Sequence, residues 1–103
     1  MNDVFSTILN FYAKRSDVAR VEKIRERMEA RPGFLPNTHA CNALMDVYVN
    51  VKDLERAKRL YAWMEAKDIR ANEITLNTLL RAYARAGDAE GAETVLRRVE
   101  AFD

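Results

Sequence analysis

Apolar residues recur every three or four positions along nearly the whole chain, in three successive rounds. Phe5, Ile8, Leu9 and Tyr12 are followed by Val18, Val21, Ile24 and Met28. Cys41, Leu44, Met45 and Tyr48 are followed by Leu54, Ala57, Leu60 and Met64. Leu76, Leu79, Leu80 and Tyr83 are followed by Ala89, Ala92, Val95 and Val99. This spacing places each set on one face of a helix, and no segment keeps the period-two alternation of a strand. Breakers fall between rounds, at Pro32, Gly33 and Pro36 and in the polar stretch Lys67 to Asn72. The pattern predicts an all-α chain with six helices near 3–15, 17–30, 38–50, 53–67, 73–86 and 88–102.

The rounds are one unit repeated. Asn42 and Asn77, Leu44 and Leu79, Tyr48 and Tyr83, Asp53 and Asp88, Ala57 and Ala92, and Glu65 and Glu100 all differ by 35. The first round matches the second at an offset of 36, through Ile8 and Leu44, Tyr12 and Tyr48, Asp17 and Asp53, and Met28 and Met64. The extra residue belongs in the loop from Arg31 to Pro36, where an insertion costs least. A fixed period of this size signals a solenoid of helical hairpins, each burying its apolar face on its neighbours. We divide the chain into a single solenoid domain with units 1–37, 38–72 and 73–103, the last truncated.

Polar residues mark where the helices start. Asp17, Asp53 and Asp88 each stand one residue before an apolar position, where a carboxylate caps a second helix and complements its dipole. Asn2, Asn37 and Asn72 are the matching candidate caps for the first helices.

Composition narrows the function classes. The chain has 103 residues, 49% hydrophobic and 32% charged, with a net charge of +1, one cysteine and one histidine. A domain this small buries only about 60–65% of its unfolded surface. Cys41 and His39 supply neither a disulfide nor the three or four ligands of a structural zinc, so packed side chains must stabilise it. The longest apolar run, Leu60 to Met64, is far short of the roughly 20 residues that span a bilayer, which excludes a membrane-spanning protein. The sequence from Met1 to Ser6 has neither the charged and apolar regions of a signal peptide nor the Arg-rich character of a transit peptide, so a targeting signal is expected to be absent or already removed. The near-neutral charge excludes a strongly basic nucleic-acid binder and leaves open one whose charge is arranged locally.

The stretches Asn42-Ala-Leu-Met-Asp-Val-Tyr-Val-Asn50 with Asp53 to Met64, and Asn77-Thr-Leu-Leu-Arg-Ala-Tyr-Ala-Arg-Ala-Gly-Asp88 with Glu90 to Leu96, resemble the pentatricopeptide repeat. The resemblance covers nearly the whole chain and rests on the period, the Asn-Thr-Leu-Leu opening, the tyrosine, the Ala-Gly-Asp turn and the methionine late in the second helix. The tetratricopeptide repeat has a period of 34 and a Trp-x-x-Leu-Gly opening. No glycine follows Leu44 or Leu79, and Trp63 lies in a second helix.

The resemblance implies a right-handed α-solenoid that binds single-stranded RNA, about one base per repeat, read by two or three side chains. Its reading pairs would be Ser6 with Asn37 and Asn42 with Asn72, while Asn77 lacks its partner because the chain stops at Asp103. By the family's pattern a Ser/Asn pair prefers adenine and an Asn/Asn pair prefers cytosine or uracil. Lys14 and Arg85 fall where family members carry a basic residue near the RNA backbone, and Arg81 lies one turn on from Asn77. Asn50 departs from that basic position, Asp46 sets a negative charge beside Asn42, and His39 replaces a usual apolar residue.

Residue chemistry supports part of this. Asn disfavours helix interiors, yet it recurs at matching positions in two first helices, and its amide offers a donor and an acceptor to a base edge. Two readings stay open: Asn42 and Asn77 face a base, or they bond to each other or to a backbone carbonyl. For Asn37 and Asn72, helix capping competes with base reading. The charges of the second helices read as solvated faces, and Tyr12, Tyr48 and Tyr83 as core.

Val4 and Phe11 are apolar on the flank of the first helix where a terminal capping repeat would be polar. This edge is expected to pack on further repeats, another copy or a protein partner. Base stacking contributes roughly 1–3 kcal/mol per base, so three repeats alone bind weakly, which favours a longer array or a ribonucleoprotein. The alternative is a protein-interaction scaffold using the same concave face without reading RNA. No catalytic set converges, Gly87 and Gly91 form no phosphate loop, and no enzyme activity, cofactor or small-molecule substrate is expected. The resemblance alone implies a mitochondrial or plastid location.

Overall fold

The computed structural model describes residues 2–101, Asn2 by its backbone alone. It contains six helices and, among the described residues, no strand: α1 (Asn2–Ala13), α2 (Val18–Glu29), α3 (Thr38–Asn50), α4 (Leu54–Ala66), α5 (Glu73–Arg85) and α6 (Ala89–Glu100). Each pair forms a hairpin. α1, α3 and α5 pack side by side in an inner row, and α2, α4 and α6 lie behind them.

The turns repeat as closely as the helices do. Ser16, Lys52 and Gly87 occupy the same position in the three units, and all have positive φ, at 53°, 62° and 72°. At each, the left-handed residue ends the inner helix, and the next residue's N–H returns to the tyrosine carbonyl of the preceding turn: Asp17 to Tyr12 at 3.1 Å, Asp53 to Tyr48 at 2.8 Å and Asp88 to Tyr83 at 3.0 Å. This is the Schellman closure of a helix C-terminus. The same aspartates then cap the outer helices, their carboxylates accepting from the N–H of Arg20, Arg56 and Gly91. One residue therefore closes one helix and opens the next in each of the three hairpins. Asn37 and Asn72 cap α3 and α5 as expected. The expected cap by Asn2 concerns a side chain outside those described.

Gly91 has a second role. A Cβ built there would lie 2.4 Å from the Tyr83 ring, so its missing side chain makes room for that ring between α5 and α6.

The middle unit is the most buried. Ala40, Cys41, Met45, Val47, Tyr48, Ala57, Leu60 and Met64 are fully buried. The end units leave Val4, Phe11, Ile74 and Leu96 exposed. Tyr48 has a buried ring and a hydroxyl that crosses between units: it donates to Glu22 Oε1 at 2.5 Å and accepts from Arg25 at 3.1 Å. Burial, with the Glu22 hydrogen bond adding to it, pushes its phenol up to about 12.

Candidate RNA-facing surface

The site expected from the sequence lies on the inner row, at the N-terminal ends of α3 and α5. Asn72 adopts an extended conformation ahead of α5, and its Oδ1 accepts from the backbone N–H of Thr75 at 3.0 Å, completing a reciprocal capping box. The same oxygen accepts from Asn42 Nδ2 at 3.1 Å. Thr75, fully buried, bonds through its hydroxyl to Asn42 Oδ1, with Asn72 Oδ1 within 3.0 Å. Asn42 and Asn72, 30 residues apart in sequence, are therefore brought side by side and oriented by Thr75.

Their remaining polar groups are open. Asn42 keeps one amide N–H and one lone pair, and Asn72 keeps its whole NH₂ group, because each bond above uses one site only. A solvent-open hollow of about 360 Å³, lined by Thr38, Arg70, Ala71, Asn72 and Glu73, adjoins the pair. Asn77 is exposed and makes no side-chain bond to another described residue. Of the two structural alternatives raised for Asn42, neither is observed, because its partners are Asn72 and Thr75.

Ser6 differs. It is 2% exposed, and its hydroxyl has no hydrogen-bond partner among the described residues. The residue that matches Thr75 one repeat earlier is Ala40, fully buried and without a side-chain oxygen. Ala40 offers no side-chain oxygen of the kind that Thr75 offers Asn42, and the packing of α1 on α3 leaves the Ser6 hydroxyl buried. The expectation that Ser6 presents a polar group to a ligand is corrected on that ground. Asn37 caps α3 through its side chain, accepting from Ala40 N at 2.9 Å.

The expected cations separate in the same way. Arg81 reaches Asp46 of the preceding unit at 3.3 Å, both about half exposed. Arg85 donates to the Val49 carbonyl at 3.3 Å, at the end of α3. Lys14 is exposed without an ion pair among the described residues. The Asp46 charge that stands beside Asn42 in the sequence is thus matched by Arg81. Sequence reasoning missed Thr75 and Arg70. Aligning the repeats would have exposed the first, because Thr75 replaces Ala40 at the position facing Asn42.

Among the described residues no group of three His, Cys, Asp or Glu side chains could hold a metal ion, and no helix is long and apolar enough to cross a membrane. Cys41 is fully buried, and burial pushes its thiol up to about 11.

Comparison with known proteins decides the family. The profile of the PPR repeat family matches residues 36–85, and that of the PPR repeat matches residues 74–103. The chain belongs to the pentatricopeptide repeat family. A mitochondrial pentatricopeptide repeat-containing protein of Arabidopsis thaliana is 30% identical over 98 residues, covering 95% of this chain and 20% of the relative. A chloroplastic one from the same plant is 28% identical, over 86% of this chain and 9% of the relative. The crystal structure of the pentatricopeptide repeat protein PPR10 from maize superposes with a TM-score of 0.85 at 20% identity, covering 98% of this chain and 14% of that one. The chain therefore shares the right-handed α-solenoid of this fold and spans a fifth or less of these relatives' length.

Proposed function

We propose that this pentatricopeptide repeat chain binds single-stranded RNA along its inner row, with Asn42 and Asn72 reading one base and Asn77 contributing to the next. The observation that carries this reading is the Asn42–Asn72 pair, held at 3.1 Å by buried Thr75 with unused donors and an acceptor facing outward. An asparagine pair of this kind can match either a donor or an acceptor on a Watson–Crick edge, which suits pyrimidine recognition by the family's pattern. Asn37 belongs to the same surface, whereas Ser6 joins it only if α1 moves away from α3. Lys14 is the cation most open to a phosphate. Arg81 and Arg85 reach the backbone only by exchanging their present partners.

Modest affinity follows. Two or three stacked or paired bases contribute roughly 1–3 kcal/mol each before the cost of association, so tight binding requires a longer array or a ribonucleoprotein. The mitochondrial and chloroplastic relatives support an organellar setting for this chain. We read the chain as a binding module rather than an enzyme.

Titration of short fluorescent RNAs at two salt concentrations tests this reading. Binding should weaken with salt, because neutralised phosphates release counterions. It should also weaken in the double variant Asn42→Ala, Asn77→Ala. A titration with no binding, or one indifferent to that variant, would overturn the reading. The engaged state of Arg81 and Arg85 favours the second reading, in which the inner row holds a protein segment. A salt-insensitive interaction with a protein partner and none with RNA would establish it.

A further inference from the structure

The amide pair on the inner row has a fixed direction, and Thr75 sets it. Thr7, Thr78 and Thr94 each spend their hydroxyl on the carbonyl one turn back in their own helix. Thr75, fully buried, turns its hydroxyl to the neighbouring unit instead. There it accepts from the backbone N–H of Asn72 at 3.2 Å and gives its single proton to Asn42 Oδ1. Asn42 Nδ2 donates to Asn72 Oδ1 at 3.1 Å, and that oxygen also accepts from the Thr75 N–H at 3.0 Å. The circuit closes on two backbone N–H groups, which can only donate. Neither amide can flip without losing two of these bonds.

What the pair offers a ligand follows by subtraction. Asn72 Oδ1 has both lone pairs in use, so Asn72, the exposed member, can only donate, through two N–H groups. Asn42 adds one N–H, and its remaining lone pair lies on the oxygen that buried Thr75 holds. A base meeting this pair must therefore bring acceptors to it. Of the four RNA bases, cytosine alone carries two acceptors side by side on its Watson–Crick edge, N3 and O2. Uracil carries O2 and O4 on either side of N3–H, and that central proton meets donors.

We propose that Thr75 is a specificity-determining residue: by fixing the direction of both amides it makes the Asn42–Asn72 site take cytosine in preference to uracil. This rests on the reading of the pair as RNA-facing. The preceding joint carries Ala40 and Ser6 at the two matching places and cannot form the circuit, so the selectivity belongs to this joint.

Equilibrium binding of short cytidine and uridine oligonucleotides at neutral pH tests it. The unaltered chain should prefer cytidine by about three- to ten-fold, the worth of one hydrogen bond. Thr75→Val keeps the shape, removes the hydroxyl and frees the Asn42 carbonyl to accept from uracil N3–H. The preference should then fall towards unity, with uridine affinity rising. Thr75→Ser returns the hydroxyl and should restore the preference. A merely structural role would weaken both oligonucleotides alike. NMR of the side-chain amides gives a readout without RNA: Asn42 should keep one slowly exchanging Nδ2 proton, lost in Thr75→Val and regained in Thr75→Ser. Free exchange of both Asn42 protons in the unaltered chain overturns the circuit. RNA binding without a cytidine preference, or with one that survives Thr75→Val, overturns the role of Thr75 and leaves the RNA reading intact. Binding of neither oligonucleotide overturns the RNA reading and this assignment with it.

Discussion

Replacing Ser6 by alanine should stabilise this protein. Ser6 is 2% exposed and its hydroxyl has no partner among the described residues, so the fold carries the desolvation cost of a polar group without a hydrogen bond to offset it. An unsatisfied buried group of this kind costs about 1–3 kcal/mol. Position 6 lies inside α1, where alanine is also the better helix former by about 0.5 kcal/mol. Against this stands the loss of one oxygen's dispersion contacts, about 0.1–0.2 kcal/mol for each atom pair. The balance is a gain of about 1–2 kcal/mol, which for a domain of this size raises Tm by roughly 5–10 °C. Urea unfolding should show a higher midpoint at an unchanged slope. A second arm tests the cause: Ala40→Ser places a hydroxyl opposite Ser6, and in that background Ser6→Ala should lose its advantage. A midpoint in Ser6→Ala that stays or falls would refute the reasoning, because it would mean that the hydroxyl is bonded in solution.

Further outcomes follow from the caps, the core tyrosine and the buried thiol. Asp53→Ala should cost about 1 kcal/mol by urea unfolding, because Asp53 caps α4. Bonds to the N–H and then the guanidinium of Arg56 lower the Asp53 carboxyl, and the Arg20 guanidinium and N–H lower that of Asp17. For both, the unfolded chain holds the proton more tightly. Their stabilisation is complete above the unfolded value of about 3.9 and is lost as pH falls through the lower folded value, and acid titration by circular dichroism should show that limb reduced in Asp53→Ala. Tyr48→Phe removes the hydroxyl between Glu22 and Arg25 and should lower stability by about 1–2 kcal/mol, with the inner row intact by circular dichroism. Cys41, raised to about 11 by burial, should resist a thiol reagent at pH 8 until denaturant is added, and rapid labelling of the native protein would contradict its place in the core.

The sequence by itself determined what is local and periodic. The 3.6-residue spacing of apolar positions marked six helices, the 35-residue offset made them three like hairpins, and Asp17, Asp53 and Asp88 marked where the outer helices begin. The spacing and the caps depend on residues within a turn or two of each other, and the offset is a comparison of positions along the chain, so a linear reading reaches all three. The reversal of the chain at Ser16 and Lys52 was not legible, since only Gly87 among the three carries the residue that prefers a left-handed turn; the closing hydrogen bonds impose that conformation on the other two at roughly 1–2 kcal/mol each. Tertiary structure alone decided which polar groups face outward. Asn42 and Ser6 hold matching positions, yet one is oriented by Thr75 and left partly open while the other is sealed against α3. Arg81 and Arg85, free cations in the linear reading, are drawn to Asp46 and the Val49 carbonyl by the neighbouring helix. The physical reason is common to all of these: a side chain's availability is set by what the adjacent repeat puts across from it, about 35 residues away, and a change as small as alanine for threonine there exchanges a presented amide for a buried hydroxyl.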